Sequence, residues 1–187
     1  TCPNHAGDQM NGYILKPTNF DPSKRYPVVM TQYSGPGSQS VLDKWTIDWE
    51  YYLVSKGFIV ACVDGRGTGG RSRAYETSVY MQLGKLETED QVAGAEYMRT
   101  LPYVDDKHIG IYGWSYGGYE TLMAMSTSNG TYQAGVAIAP VTDWRYYDTI
   151  YAERFMRTPN ENNEGYEQSA PITPVSYTHL RAHETLS

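Results

Sequence analysis

Gly113-Trp114-Ser115-Tyr116-Gly117 sets a serine two residues from a glycine on each side, directly after the apolar run Ile109-Gly110-Ile111-Tyr112. This G-x-S-x-G spacing, between a strand and a helix, is that of a nucleophile elbow. The serine must then occupy a strained turn at the end of its strand, where side chains two residues before and after would collide. The helix that follows aims free N–H groups at the site, and the backbone N–H of Tyr116 becomes a candidate oxyanion donor. A serine hydroxyl is a poor nucleophile until a base takes its proton. The sequence must therefore be searched for that base.

A second oxyanion donor is expected from the loop after an earlier strand. Tyr33-Ser34-Gly35-Pro36-Gly37 is such a loop, and the Tyr33 phenol is a good donor; a core tyrosine at a strand end is the alternative. Trp144, Tyr147 and Tyr151 recur at i, i+3 and i+7, as on one face of a short helix. They form either a core stripe or an aromatic-walled pocket, since sites on parallel sheets lie beyond the strand C-termini. Asp64-Gly65-Arg66-Gly67-Thr68-Gly69-Gly70 contains G-x-G-x-x-G. Arg71-Ser72-Arg73 follows it in place of an apolar helix face, and no ribose-binding acid comes at the right remove. The glycines are expected to let a loop cross tightly beside the active face, with no cofactor. Asn129-Gly130-Thr131 fits a glycosylation sequon and reads as a turn.

The elements that must hold these groups alternate. Tyr13–Leu15, Tyr26–Tyr33, Phe58–Val63, His108–Gly113 and Ala134–Ala139 read as strands. A helix is expected from Trp45 through Trp49 and Leu53 to about Lys56, with Gly57 as its C-cap. Val92, Ala95, Met98 and Leu101 mark another, whose first turns hold Glu87, Glu89 and Asp90, suited to the helix dipole. Tyr116–Met125 is a third, and residues 158–168, rich in Asn and Glu, read as a solvated connector. Such alternation predicts an α/β, mostly parallel sheet with right-handed crossovers.

The 187 residues suit one domain with a real core. A formal charge of −6 leaves no cationic groove, which argues against a nucleic-acid partner despite four Trp and 18 Tyr. Cys62 lies in an apolar strand and Cys2 at a ragged start, so no disulfide is deduced. No apolar run approaches a membrane span. The chain opens without a Met or an entry signal and reads as beginning inside a longer protein.

Four segments carry a family resemblance. They are Gln32-Tyr33-Ser34-Gly35-Pro36, Val63 to Gly69, Gly113 to Tyr119, and Ala139 to Asp148, supported by Tyr151-Ala152-Glu153-Arg154. Over residues 11–172 the chain resembles the catalytic domain of the prolyl oligopeptidase family of serine peptidases, in its dipeptidyl peptidase IV branch. The resemblance implies the N-terminal part of an α/β-hydrolase fold over residues 1–173. It implies Ser115 as nucleophile, with the Tyr33 phenol and the Tyr116 N–H in the oxyanion hole. Tyr116, Val141, Trp144, Tyr147 and Tyr151 would line the pocket for the residue before the cut bond, usually proline. The implied substrates are peptides with proline at the second position. It further implies a homodimeric full-length protein, an N-terminal β-propeller outside this sequence, and a periplasmic, cell-envelope or secreted location. An acyl-peptide hydrolase or carboxylesterase of the same fold, and an inactive peptide-binding pseudoenzyme, are the competing functions.

The elbow's partners should follow in the order Asp, then His, after later strands. After Asp148 no strand ending in aspartate is legible, and Pro174 to Ser187 departs from the family pattern, so this tail is expected to be non-native. His179 and His183, spaced i and i+4, lack a third metal ligand; His5 precedes the sheet, and His108 lies at the far end of the serine's own strand. Without base and acid the chain alone is expected to be inactive. With half its sheet exposed it is expected to be poorly soluble.

Overall fold

The computed structural model describes residues 1–45 and 48–175. In chain order the elements are β1 (Cys2–Pro3), β2 (Gln9–Leu15), β3 (Tyr26–Thr31), α1 (Glu50–Ser55), β4 (Ile59–Asp64), α2 (Arg73–Thr77), α3 (Lys85–Arg99), β5 (Val104–Trp114), α4 (Tyr116–Thr127) and β6 (Ala134–Ile138). A 3-10 turn (Trp144–Tyr146) and helices α5 (Thr149–Met156), α6 (Asn163–Gln168) and α7 (Ile172–Val175) follow. Six strands form one sheet in the order β1-β2-β4-β3-β5-β6. β4, β3, β5 and β6 run parallel, with Val28 opposite Ile59 and Ile109, and Gly113 opposite Ala137. β2 and β1 continue the sheet antiparallel on the β4 side. The alternating sequence thus builds the expected α/β sheet.

β4 is buried along its whole length, as its unbroken apolar run requires. One sheet face presents Met10, Met30, Ala61, Val63, Ile109 and Ile111 to Ala95 and Met98 of α3 and Ala124 of α4. Among the described residues, α1 is the helix on the opposite face: the Trp49 ring just before it lies 4.4 Å from the Tyr112 ring, tilted at 53°, and Glu50 accepts hydrogen bonds from Tyr13 and Thr31. A groove of about 600 Å³ remains there, with Trp45, Trp49, Tyr112 and Trp114 in its walls. β6 is the sheet's edge, and its Val136 is exposed. A second core lies beyond the strand C-termini, where Val79, Leu83, Tyr119, Met156 and Tyr166 pack together.

Four expectations change. The helix around Trp49 begins at Glu50, not Trp45, because the Asp48 carboxylate captures the Trp49 N–H in a turn and Trp45 has little surface to pack on. Gly57 does close this segment, at φ +88°. Cys2 is no ragged end: it pairs with Met10 and is buried. In α3, Glu87 and Asp90 face inward rather than serving only the dipole. The 158–168 connector contains α6, tied down by Asn162, whose amide donates to the carbonyls of Met81 and Met156, and by the buried Tyr166. Asn129 and Gly130 do form a turn, both at positive φ. Residues 176–187, which hold most of the tail expected to be non-native together with His179 and His183, lie outside the described residues.

Candidate active site

Ser115 stands alone between β5 and α4, at φ +57° and ψ −114°. A non-glycine residue tolerates that conformation only where its surroundings enforce it. The enforcement is visible on both sides. The Ser115 N–H donates to Ile138 O of β6 (2.9 Å), and its carbonyl accepts the Tyr119 N–H (3.0 Å). A Cβ at Gly113 would run into the carbonyl of Gly117, and one at Gly117 into the carbonyl of Gln32. The two glycines of the motif are therefore steric requirements of the turn and of the β3 loop against it. The serine is half-buried, and the first N–H groups of α4, which have no partner within the helix, lie directly after it.

Tyr33 lies just past β3, where the Gln32 N–H still donates to Tyr112 O (3.2 Å). Its ring sits 6.1 Å from that of Tyr116 and is 40% exposed, so it is not a core tyrosine. Gly35 gives the ring room: a Cβ there would approach Tyr33 Cε1 to 2.5 Å. The glycine-rich 64–70 loop buttresses this segment, as expected for a tight crossing. The Gly37 N–H donates to Gly67 O, and the Gly69 N–H to Ser38 O, both at 2.8 Å. Asp64 accepts the Ser40 and Val41 N–H groups, and Arg66 clasps the buried Asp90 carboxylate at 2.7 Å.

The aromatic stripe is brought together, though not by one helix. Trp144 lies in the 3-10 turn, Tyr147 in the extended residue after it, and Tyr151 in α5. Asp143 caps the turn through the Arg145 N–H, and Asp148 caps α5 through the Tyr151 N–H. Two capped starts thus replace the single helical face that the i, i+3, i+7 spacing suggested. The Trp144 ring lies 5.5 Å from Tyr116, 5.8 Å from Tyr147 and 5.6 Å from Tyr151, stacked on the last at 20°. Trp144 and Tyr116 are almost fully buried, Val141 packs partly buried on the same cluster, and Tyr147 is 44% exposed at its open side. One aromatic cluster thus runs from the buried Trp144 and Tyr116 to the exposed Tyr147.

Behind this cluster stand polar groups whose partners the sequence does not reveal, Glu87 among them, which the sequence places only as suited to the helix dipole. The Tyr116 hydroxyl donates to Glu87 Oε1 (2.8 Å), and the Thr88 hydroxyl to Glu120 Oε1 (2.7 Å). Burial pushes the Glu87 carboxyl up to about 7 and raises that of Glu120 well above its usual range. Burial likewise raises the Tyr116 phenol, which stays a donor. The signal available in the sequence was periodicity: Glu87, Gln91, Gly94 and Met98 share the inward stripe of α3. Gln32, whose role was also missed, follows Thr31 at the polar end of the apolar β3 run.

Neither described histidine approaches the serine. His5 pairs with Glu96, and His108 with Asp105, each at 2.7 Å and exposed. His108 lies seven residues from Ser115 along an extended strand, about 23 Å away at ~3.3 Å per residue. Among the described residues no group of three or more His, Cys, Asp or Glu is arranged to hold a metal ion.

A sequence model described as "Prolyl oligopeptidase family" matches residues 45–186. A probable dipeptidyl-aminopeptidase B of Metarhizium robertsii is 46% identical over 166 residues, which is 88% of this chain and 18% of that protein. The one from Ajellomyces dermatitidis is 50% identical over 157 residues, 83% of this chain and 17% of that protein. The crystal structure of Porphyromonas gingivalis dipeptidyl peptidase 4 superposes with a TM-score of 0.91 at 55% identity, covering 94% of this chain and 25% of that one. A putative dipeptidyl aminopeptidase IV from Bacteroides ovatus gives 0.87 at 40% identity, over 90% of this chain and 24% of that one. The chain therefore spans only 17–18% of the length of these curated relatives.

Proposed function

The chain belongs to the prolyl oligopeptidase family, and from that premise we propose that it carries the nucleophile and proline pocket of a serine peptidase releasing Xaa-Pro dipeptides from peptide N-termini. Its fold is that of the α/β-hydrolases, mostly parallel with flanking helices. The observation that carries the proposal is Ser115 held at φ +57°, with the Tyr116 that follows it packed on an aromatic cluster in which Trp144 stacks on Tyr151.

In this reading a base removes the Ser115 hydroxyl proton as Oγ attacks the carbonyl carbon of the proline itself. The negative charge that develops on the carbonyl oxygen is met by the Tyr33 phenol and the Tyr116 N–H. Collapse breaks the peptide bond, the departing amine takes the proton, and the dipeptide remains as an ester on Ser115 until water releases it. The proline ring lies among Trp144, Tyr147 and Tyr151, with Val141 and Tyr116 closing the pocket. A rigid apolar ring suits such walls because it loses little conformational entropy on binding. The base is assigned outside the described residues, since His5 and His108 are engaged elsewhere.

The test is hydrolysis of an Xaa-Pro anilide by the full-length protein that carries this chain, with Ser115→Ala as control. Turnover lost in the variant is the expected result. Turnover of a simple acyl ester but not of the anilide would instead indicate an esterase or acyl-peptide hydrolase. Anilide turnover that survives Ser115→Ala would overturn the proposal.

A further inference from the structure

Tyr33 is exposed, yet its neighbours Gln32 and Ser34 are both buried. The two oxyanion donors proposed above belong to separate segments, the loop after β3 and the first turn of α4. Their relative position depends on what joins those segments. We propose that Gln32 is a positioning residue, whose side-chain amide clamps the Tyr33 loop to the elbow helix and so sets the phenol against Ser115 and the Tyr116 N–H.

The amide uses both of its ends. Its nitrogen donates to Gly117 O (2.7 Å) and to Thr121 Oγ1 (3.2 Å), the last residue of the G-x-S-x-G motif and the helical turn after it. Its oxygen accepts from the Ser34 hydroxyl (2.9 Å), on the far side of Tyr33. Gln91 of α3 completes the chain, donating to Ser34 Oγ (3.2 Å) and Val63 O (3.1 Å). Ser34 itself lies at φ +64°, a conformation that needs such holding. The backbone at Gln32 also faces the missing Cβ of Gly117, so the segments meet without a spacer. All of these groups are buried, where each unmade hydrogen bond is costly and each made one is rigid.

The chemistry of the clamp selects an amide. A glutamate would set acceptor against the Gly117 carbonyl. A methionine fills the same volume and makes neither bond. Catalytic donors must be held within roughly 0.5 Å of the productive geometry, and a misplacement of about 1 Å can cost on the order of 100-fold in rate.

This inference rests on the peptidase reading, so its test has one arm that is independent of turnover. In the full-length protein, Gln32→Met is compared with wild type in two ways. Fluorotyrosine placed at position 33 reports the phenol's environment by fluorine NMR. Kinetics on an Xaa-Pro anilide are set beside affinities for a dipeptide boronic acid, which forms a tetrahedral serine adduct, and for the product dipeptide. Gln32→Met is expected to shift or broaden the fluorine signal and lower kcat by about 10- to 100-fold. Boronate affinity should fall in parallel, while KM and product affinity change little. Ser34→Ala, which removes the bonds of the Ser34 hydroxyl to Gln32 and Gln91 but leaves the Gln32 amide on Gly117 and Thr121, should move the same readouts less and serves if Gln32→Met does not fold. An unchanged fluorine signal overturns the inference whatever the kinetics. A shifted signal with unchanged kcat, in an enzyme that Ser115→Ala silences, also overturns it. Anilide turnover that survives Ser115→Ala defeats the peptidase reading instead, and the fluorine signal still decides the clamp.

Discussion

Glu87→Gln should make the protein more stable at neutral and alkaline pH while changing little in acid. The Glu87 carboxyl is buried between α3 and α4, with Tyr116 donating to one oxygen and, among the described residues, no hydrogen-bond partner on the other. Burial raises it from an ordinary 4.5 to about 7, opposed in part by the helix backbone at Glu87 and by the Tyr116 hydroxyl. Below the unfolded value both states hold the proton and burial of the group carries no ionic penalty. As pH rises toward about 7 the unfolded chain releases its proton first, so stability falls; above the folded value the loss is complete. The shift corresponds to roughly 3 kcal/mol. Glutamine is neutral throughout and keeps an oxygen to accept from Tyr116. Whatever fixed cost its extra N–H brings is independent of pH. Urea unfolding of both proteins at about pH 5 and about pH 8 gives the difference, with most of the ~3 kcal/mol expected to appear as a relative gain for the variant at the higher pH. Glu120 is raised by burial in both proteins, and the Glu87 charge adds to that rise only in the wild type. A stability difference that is flat with pH, or that grows in acid, would refute the reasoning.

Three other outcomes follow from the site's geometry. Ser115→Gly should stabilise the fold by about 1 kcal/mol, measured by urea midpoint, because glycine relieves the φ +57° conformation; no gain would mean that the elbow stores no strain. Gly117→Ala should destabilise by at least about 2 kcal/mol, because its Cβ meets the backbone of Gln32, which cannot move aside as a side-chain tip would. Tyr33→Phe should leave the unfolding midpoint unchanged, since the ring is substantially exposed, while kcat of the full-length enzyme falls on the order of 100-fold.

Much of this architecture is legible in the sequence because it obeys single-segment rules. β4 announces itself as an unbroken apolar run, and the elbow by its two glycines at fixed spacing. The helix around Trp49 is misjudged because three large apolar residues at helical intervals look alike whether or not a surface exists to receive them. Trp45 has little. The aromatic residues converge as expected, but through two short capped elements, since Asp143 and Asp148 each restart the chain. The polar groups behind the site escape a linear reading altogether. Glu87 and Gln32 gain their meaning from partners 29 and 85 residues away. A buried carboxylate and a clamping amide have no spacing of their own; only the folded chain supplies their partners.

The central place of β3 in the sheet bears on how the protein is made. Its neighbour on one side, β4, follows soon in the chain, but the strand that covers its other side, β5, comes only after residue 104. During synthesis at ~5–20 residues per second, β3 therefore waits several seconds with one edge open. Tyr33 leaves the ribosome in that interval, long before the serine it is proposed to assist. The last event that completes the elbow is the arrival of Ile138, whose carbonyl receives the Ser115 N–H. A nascent chain halted before β6 would already hold every residue of the serine motif and still lack this brace for its geometry.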